Sequence, residues 1–272
     1  MRVERPNERA RAHALAFLDR SPYQNVFLVH ALREGGPATL SAARVVSEEG
    51  GVTGVGFFGR QVVLAASTES AVDALAAEGR DHRRERMIVG PVDVVARYWE
   101  LVGPHHPPPR DIRLRQPLLV VAAQTLRGES GLVRVRRARP DELHAVAANS
   151  AEMIAGELGY DPRDRAPADF EAGIAQTLAR GLWWLGETDD GPCFYLHVGP
   201  TSERTAQLQG IYTPPALRGR GLATAALAGI CRELLAHVPS LSLFVNDFNA
   251  PALRLYERTG FVEAGAFRSI LF

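Results

Sequence analysis

The sequence predicts an α/β protein with mixed sheets, and three observations lead to this prediction. Short apolar runs of strand length alternate with longer stretches whose apolar residues recur at helical spacing. Turns that contain glycine or proline separate most of these segments. The chain has 272 residues, whereas a domain usually has roughly 100–200 residues. We therefore expect two α/β domains.

The composition is that of an ordinary soluble globular protein, with 46% hydrophobic and 23% charged residues. The formal net charge is zero, so no overall charge directs the chain to nucleic acid or to an anionic membrane. All 31 basic residues are arginine. This excludes lysine as a catalytic base or Schiff-base former.

The two cysteines, Cys193 and Cys231, lie far apart and belong to no CxxC pair. This argues against a disulfide framework and against structural zinc. The N-terminal residues carry scattered charges and lack the apolar core of a signal peptide. No apolar run approaches the roughly 18 residues of a membrane-spanning helix. We expect a cytoplasmic protein that does not associate with membranes.

Helices and strands alternate in the first half of the chain. We predict helices at 8–20 and 25–33, strands at 42–47, 51–58 and 61–66, a helix at 68–78, a strand at 87–89, a helix at 91–101, and one or two strands at 111–123. The mixed-sign run from Asp81 to Arg86 is expected to be a solvated surface. His105 and His106 begin a proline-rich loop and have no third ligand nearby, so no metal site is predicted.

A polar, glycine-containing segment at 127–131 separates two apolar regions, and we place the domain boundary there, between 1–126 and 132–272. For the second half we predict a strand at 132–138, helices from 140 to about 158 and at 167–180, strands at 182–187, 192–199 and 205–212, a helix that opens at 218–223 and reaches about 237, a strand at 241–246, a helix at 249–258, and strands at 261–263 and 266–272. Asn249 is predicted to cap its helix, and Gly260 to end it.

The most informative stretch runs from Leu208 to Leu222. A short strand ends at two prolines, and the sequence Arg-Gly-Arg-Gly at 218–221 then opens a helix. A helix N-terminus offers unpaired backbone N–H groups and the positive end of the helix dipole. Glycines let an anion approach the backbone closely, and arginines favour phosphate. The stretch therefore predicts a site for a phosphate-bearing cofactor.

Residues 132–272 resemble the GNAT acyltransferase superfamily. Arg218, Gly221 and Ala223 fill its R/Q-x-x-G-x-G/A acyl-CoA pattern at the fourth strand-to-helix turn. The segment LFVNDFNAPALRLYERTGF, at 243–261, looks like the second signature of the family. The segment VRVRRARPDELHAV, at 133–146, looks like its first strand and helix. The resemblance implies a GNAT fold for the C-terminal half.

The first half resembles more loosely the N-terminal extension of two-domain bacterial GNAT proteins. It contains no Arg-x-x-Gly-x-Gly loop of its own. The resemblance implies a smaller, degenerate GNAT-like α/β domain without a CoA site.

The resemblance also implies acetyl-CoA, or another acyl-CoA, as co-substrate and no metal. The loop at 217–222 would wrap the pyrophosphate, with Arg218 or Arg220 paired to phosphate, although these arginines would also fit an exposed helix start. The fourth and fifth strands would splay apart to admit the pantetheine arm. The implied cofactor-binding residues are Gln209, Gly210, Ile211, Tyr212, Arg218, Gly219, Arg220, Gly221, Leu222, Ala223, Asn246 and Asn249.

Tyr256 is the implied general acid. It follows Asn249 by seven residues, two helical turns, so both project from about the same face. Acyl transfer to an amine leaves a CoA thiolate, which a nearby phenol can protonate. The alternative is a core tyrosine that packs under the sheet.

The general base stays open. Gln207 and Gln209 occupy the strand where many relatives carry an acidic residue. The remaining candidates are ordered water and four side chains, Glu152, Glu157, Glu187 and His197. Glu152 and Glu157 are spaced i, i+5, so they do not obviously share a helix face, and the alternative is that both are solvated surface residues. Trp183, Trp184 and Tyr160 would line an acceptor pocket or belong to the core.

The favoured function is an N-acyltransferase, most simply an acetyltransferase, that moves an acyl group from acyl-CoA to a primary amine of a small molecule in a ternary complex. One alternative is a non-catalytic protein that binds or senses acyl-CoA. Another is a GNAT-fold transferase that takes an aminoacyl group from charged tRNA, which the zero net charge disfavours. A monomer and a homodimer both remain open, as do the acceptor and the acyl-chain preference.

Overall fold

The structure is a computed structural model that describes residues 1–129, 131, 133–164 and 166–272. Its first half contains β1 (Arg2–Glu4), α1 (Glu8–Leu18), α2 (Val26–Glu34), α3 (Pro37–Ser41), β2 (Ala43–Glu48), β3 (Gly51–Phe58), β4 (Gln61–Ala66), α4 (Glu69–Gly79), β5 (Met87–Pro91), α5 (Val92–Val102) and β6 (Asp111–Ala122). Its second half contains β7 (Arg134–Arg137), α6 (Leu143–Leu158), α7 (Pro167–Ala179), β8 (Trp183–Thr188), β9 (Gly191–Thr201), β10 (Ala206–Tyr212), α8 (Leu222–Leu235), β11 (Ser240–Phe244), α9 (Ala250–Arg258) and β12 (Val262–Leu271).

Most predicted elements are confirmed to within a few residues, and the exceptions have local causes. The short elements β1 and α3 were not predicted. The two strands expected at 261–263 and 266–272 are one strand, β12, which a bulge at Gly265 interrupts, with φ +149° there. The strand predicted from Leu132 begins at Arg134, and Leu132 and Ser130 lie outside the described residues.

The described strands form one sheet of twelve, in the order β1-β2-β3-β4-β5-β12-β6-β11-β10-β9-β8-β7. The two halves interleave at its centre. Strand β6 pairs with β11, where Val121 lies opposite Leu241, and with β12 on its other side. Strand β12 in turn pairs with β5, where Ser269 lies opposite Val89. The segments 1–126 and 132–272 remain our proposed domains, but each contributes a strand to the junction between them.

Helices cover both faces of the sheet, as the alternation of side chains along its strands requires. In β8, Trp184 packs into the core under α8 and α9, whereas its neighbour Trp183 packs into the core under α6 and α7. In β2, Val45 and Val46 divide in the same way between the α1 and α2 side and the α4 and α5 side. Both tryptophans are therefore core residues.

Candidate active site

A cleft of about 890 Å³ opens where β10 and β11 separate. These parallel strands pair at only two positions, Ala206 with Leu241 and Gln207 with Ser242. Further along, a register shift between Gln209 and Tyr212 bends β10 against β9, and Gly210 adopts φ +57° within it. The expected splay of the fourth and fifth strands is thus present, and it leaves backbone groups of both strands facing a cavity.

The junction between β10 and α8 borders this cleft with unpaired backbone donors. Gly219 and Gly221 have φ of +75° and +78°, which favours glycine, and a Cβ at either would meet nothing within 4 Å. Gly221 is the N-cap residue and offers no capping side chain. Among the described residues, no hydrogen bond from the N–H groups of 219–224 is found. Open N–H groups at the start of a fourteen-residue helix are suited to bind an anion.

The two arginines of the junction have different surroundings. The Nε of Arg218 donates to the carbonyl of Thr213 at 2.9 Å, and its guanidinium lies 5.6 Å from the ring centre of Tyr212. Arg220 is exposed and forms no ion pair within the described part of the chain. Arg218 therefore stabilises the turn, and Arg220 is the freer partner for a phosphate.

All of the predicted cofactor-binding residues line this cleft, and so does Tyr256. The strand β10 and the junction contribute Gln209, Gly210, Ile211, Tyr212, Arg218, Gly219, Arg220, Gly221, Leu222 and Ala223, and the region from β11 to α9 contributes Asn246, Asn249 and Tyr256. Sequence reasoning missed several further lining side chains, among them Met153, Phe248, Arg254 and Arg258. Periodicity carries no signal for these residues, because the strand splay decides which side chains meet there.

Tyr256 both packs in the core and lines the cleft. Asn249 caps α9 through a bond from the N–H of Ala252 to its Oδ1 at 3.2 Å, and Gly260 ends the helix with φ +88°, as predicted. Tyr256 is 6% exposed, and its ring lies 5.6 Å from that of Phe261. Burial, and secondarily the negative charge of Glu157, raise the pKa of the phenol. The side chain therefore keeps its proton at neutral pH and can donate it.

Asn246 lies in the floor of the cleft and is held from the neighbouring strands. Its Oδ1 accepts a hydrogen bond from Nε2 of Gln116 at 2.8 Å, and Oε1 of Gln116 accepts one from Ser269 at 2.5 Å. All three side chains are buried. The chain of bonds links β6, β12 and the end of β11, so strands from both halves of the sequence fix this wall of the site.

Two of the candidate bases lie away from the cleft. Glu187 accepts bonds from Arg136, the shortest at 2.7 Å, and this partner lowers the pKa of its carboxyl. His197 packs 5.0 Å from the ring of Trp183, and burial lowers the pKa of its imidazole. Neither residue lines the cleft. Glu187 forms an ion pair with Arg136, and the ring of His197 packs against Trp183.

The other two candidates, Glu152 and Glu157, both line the cleft from α6. They reach it although they are spaced i, i+5, because the cleft opens beside the last turns of this helix and long side chains enter it from two sides. Oε2 of Glu152 accepts a hydrogen bond from the hydroxyl of Tyr212 at 2.8 Å. Glu157 is exposed at the mouth of the cleft, yet the protein around it raises the pKa of its carboxyl, an effect that Arg113 opposes.

In the first half, one residue of the charged run 81–86 departs from the expected solvated surface. Glu85 is 9% exposed, and its Oε1 lies 2.6 Å from Nε2 of His106. His82 approaches the same carboxylate at 3.7 Å. Within the described ranges, no group of three or more His, Cys, Asp or Glu side chains is arranged to hold a metal ion.

Comparisons with known proteins agree with this geometry. Residues 134–261 match the sequence model of the acetyltransferase (GNAT) family, and residues 43–146 match that of a domain of unknown function, DUF4081. A stretch of 70 residues, 25% of this chain, is 41% identical to a mycothiol acetyltransferase of Acidimicrobium ferrooxidans. That match spans 22% of the length of the relative.

Solved structures with a similar fold cover nearly the whole chain. A GCN5-related N-acetyltransferase from Sphaerobacter thermophilus has a TM-score of 0.63 at 18% identity, over 98% of this chain and 94% of its own. A GNAT-family acetyltransferase from Colwellia psychrerythraea has 0.60 at 10% identity, over all of both chains. A tandem GNAT protein from the clavulanic acid biosynthesis pathway has 0.58 at 15% identity, over 99% and 98%.

None of the described helices is long and apolar enough to cross a membrane. The match at 134–261 covers the junction, the splayed strands and Tyr256, which are the parts that build the cleft. Residues 134–261 therefore belong to the GNAT acetyltransferase family, and the comparisons support an enzyme of that type.

Proposed function

We propose that the enzyme transfers the acetyl group of acetyl-CoA directly to a primary amine of a small molecule, with both substrates bound together. The observation that carries this proposal is the open N-terminus of α8 beside the splayed strands, with Tyr256 in the same cleft. A site suited to bind phosphate and a proton donor thus share one cavity. The stretch identical in part to a mycothiol acetyltransferase supports acetyl as the transferred group.

In this proposal the arginine-rich end of the cleft binds the nucleotide part of acetyl-CoA. The N–H groups of 219–224 donate to the pyrophosphate, and Arg220 adds a charge-assisted bond. The backbone of 208–211 in β10 pairs with the pantetheine amides, as an added strand would. These contacts hold the thioester beside α9, where the chemistry takes place.

The reaction joins the amine nitrogen to the thioester carbonyl carbon, and the carbon–sulfur bond then breaks. Sulfur leaves as a thiolate, and Tyr256 donates its proton to that sulfur. The backbone contacts act by holding both reactants in one orientation, so that the amine attacks within the bound complex. The two thiols of the chain, Cys193 and Cys231, are buried and unpaired. Free cysteines fit a reducing compartment, and a cytoplasmic location is part of this proposal.

The test measures release of free CoA thiol from acetyl-CoA in the presence of a panel of primary amines, with mass spectrometry of the N-acetylated product. We expect steady release with at least one amine. Binding of acetyl-CoA without thiol release from any amine would contradict the proposal and would indicate a protein that binds acyl-CoA without turnover. Calorimetry that detects binding of charged tRNA but not of acetyl-CoA would contradict the donor.

A further inference from the structure

The charged residues that line the cleft are divided between its two sides. Loop 218–221 and α9 contribute only arginines, at 218, 220, 254 and 258. Among the described lining residues, the acidic side chains are Glu152 and Glu157, and both come from α6. An anion is therefore attracted to one side of the cleft, and an ammonium ion to the other.

The two carboxylates differ in the hydrogen bonds that they already accept from the protein. Glu152 accepts the hydrogen bond from Tyr212, so one of its oxygens is engaged. The carboxylate of Glu157 has no hydrogen-bond or ion-pair partner within the described residues. Its position is nevertheless fixed through the backbone, because Nη2 of Arg113 donates to its carbonyl oxygen at 2.8 Å. The residue is anchored while its carboxylate stays open to a ligand.

We propose that Glu157 is the catalytic base of this cleft, the carboxylate that accepts a proton from the ammonium group of the acceptor. Glu152, which accepts the hydrogen bond from Tyr212, adds a second negative charge on the same side of the cleft. This inference rests on the acetyl transfer proposed above and assigns a base that β10 lacks, because that strand carries glutamines at 207 and 209.

The proposed reaction begins with the acceptor in its ammonium form. Glu157 takes one proton, and the freed nitrogen lone pair forms the bond to the carbonyl carbon. The electrons of the carbon–sulfur bond go to sulfur, which takes the proton of Tyr256. The phenolate then takes the second proton from nitrogen. The products are the amide, the thiol and one proton on Glu157, which passes to solvent.

Glu157 and Tyr256 also influence each other electrostatically. The negative charge of Glu157 is one of the causes that raise the pKa of the phenol. Proton transfer to Glu157 removes this charge and lowers the pKa of Tyr256. The phenol thus becomes a stronger acid after the amine has lost its proton, which is when the thiolate forms.

The charged groups near Glu157 come from three elements. Arg113 of β6 lowers the pKa of its carboxyl, Tyr256 lies across the cleft on α9, and Glu152 lies on its own helix. Beyond the end of α6, Asp161 forms an ion pair with Arg163, in which Oδ2 lies 2.6 Å from Nη2. Arg113 belongs to the first half of the chain, so that half would tune the base of the second.

The test compares Glu157→Gln with Glu233→Gln, an exposed change on α8 outside the cleft. Wild-type kcat/KM for the best amine of the panel should fall as pH drops through the pKa of Glu157, because the protonated carboxyl cannot act as a base. Glu157→Gln should lower kcat/KM by about 100-fold or more and remove that acidic limb, with acetyl-CoA affinity unchanged. Glu233→Gln should match the wild type.

A second variant separates catalysis from structure. In Glu157→Ala, added formate should restore part of the lost activity, since a small carboxylate can replace the missing group. An active wild type with Glu157→Gln within threefold of it and the acidic limb retained would overturn the base assignment alone. Absence of thiol release from the wild type with any amine would instead contradict the proposed acetyl transfer.

Discussion

The junctions β4–α4 and β10–α8 hold equivalent places in the two halves, since each begins a strand, helix, strand, helix, strand series. The two junctions differ in whether a side chain accepts a hydrogen bond from the first N–H groups of the helix. Oγ1 of Thr68 caps α4 by accepting from the N–H of Ala71 at 3.2 Å, and the carboxylate of Glu48 lies within 2.5 Å of the hydroxyl of Ser70. The second junction has a glycine at the cap and arginines beside it. One junction is closed with negative charge nearby, and the other is open with positive charge nearby.

The spaces beside the two junctions differ accordingly. Strands β4 and β5 pair at three positions, and a Cβ at Gly90 would lie 2.7 Å from the carbonyl oxygen of Leu64, so no cleft separates them there. Tyr98 and Tyr256 are each the seventh residue of the following helix. Tyr98 is fully buried, and a Cβ at Gly79 would lie 1.8 Å from its hydroxyl. A few residues at the turn thus decide whether this arrangement builds a core or a ligand site, which supports a first half without a CoA site.

The two tyrosines offer the largest expected contrast. Tyr256→Phe should lower turnover by about 10²- to 10⁴-fold, because the thiolate loses its proton donor, while acetyl-CoA affinity stays nearly unchanged. Tyr98→Phe should leave turnover unchanged. It should also raise the free energy of unfolding by about 1 kcal/mol, since a buried hydroxyl that has no partner among the described residues is removed. Steady-state kinetics measure the turnover of both variants, and urea unfolding measures the free energy of unfolding. Equal turnover in Tyr256→Phe and the wild type would remove the assigned role.

The next test converts the open junction into a closed one. Gly221→Asp places a capping carboxylate where the pyrophosphate is proposed to bind, and we expect the Kd for acetyl-CoA to rise by about 100-fold or more through repulsion and lost N–H donors. Gly181→Asp is the matched control, because its φ of +68° lies in the same left-handed region and the residue lies outside the cleft. Calorimetry that finds the same Kd for both variants would contradict the anion site.

A smaller effect is expected from single arginines. Arg220→Ala should raise the Kd for acetyl-CoA by about tenfold, the value of one charge-assisted hydrogen bond of roughly 1.5 kcal/mol, and the loss should shrink at high salt. Arg84→Ala, an exposed arginine of the first half, should have no effect. The proposed role of Arg220 is wrong if calorimetry at low salt finds the same Kd for acetyl-CoA in both variants.

The smallest effect concerns the closed junction. Thr68→Ala removes the cap of α4 and should lower the free energy of unfolding by about 1 kcal/mol, because the N–H of Ala71 loses its acceptor. Acetyl-CoA affinity should not change. A denaturation curve and a binding titration on the same sample test the pair of expectations, and a gain of a second acetyl-CoA site in this variant would contradict the assignment of the first half.

Features set by neighbouring residues could be predicted from the sequence. The Asn249 cap, the Gly260 helix end and the glycine junction at 219–221 each depend on a few consecutive residues. The resemblance to the GNAT signatures then predicted that these local features belong to one site. The short strand β1 lacks enough residues for a periodic pattern and exists because β2 pairs with it.

Features that depend on distant pairing could not be predicted. Nothing near Asn246 indicates that Gln116 will donate to it, because the two residues meet only when β6 enters the sheet beside β11. The burial of Glu85 depends on His106, and the anchoring of Glu157 depends on Arg113. In each case a partner from another element decides whether a charged residue is solvent-exposed or part of a site.

Amide hydrogen exchange with and without acetyl-CoA tests the central claim most directly, because it reports on both junctions in one experiment. The account predicts slower exchange in peptides that cover 208–224 and 243–258, and no change in peptides that cover 61–72. Protection at 61–72, or exchange at 219–224 that acetyl-CoA leaves unchanged, would contradict it.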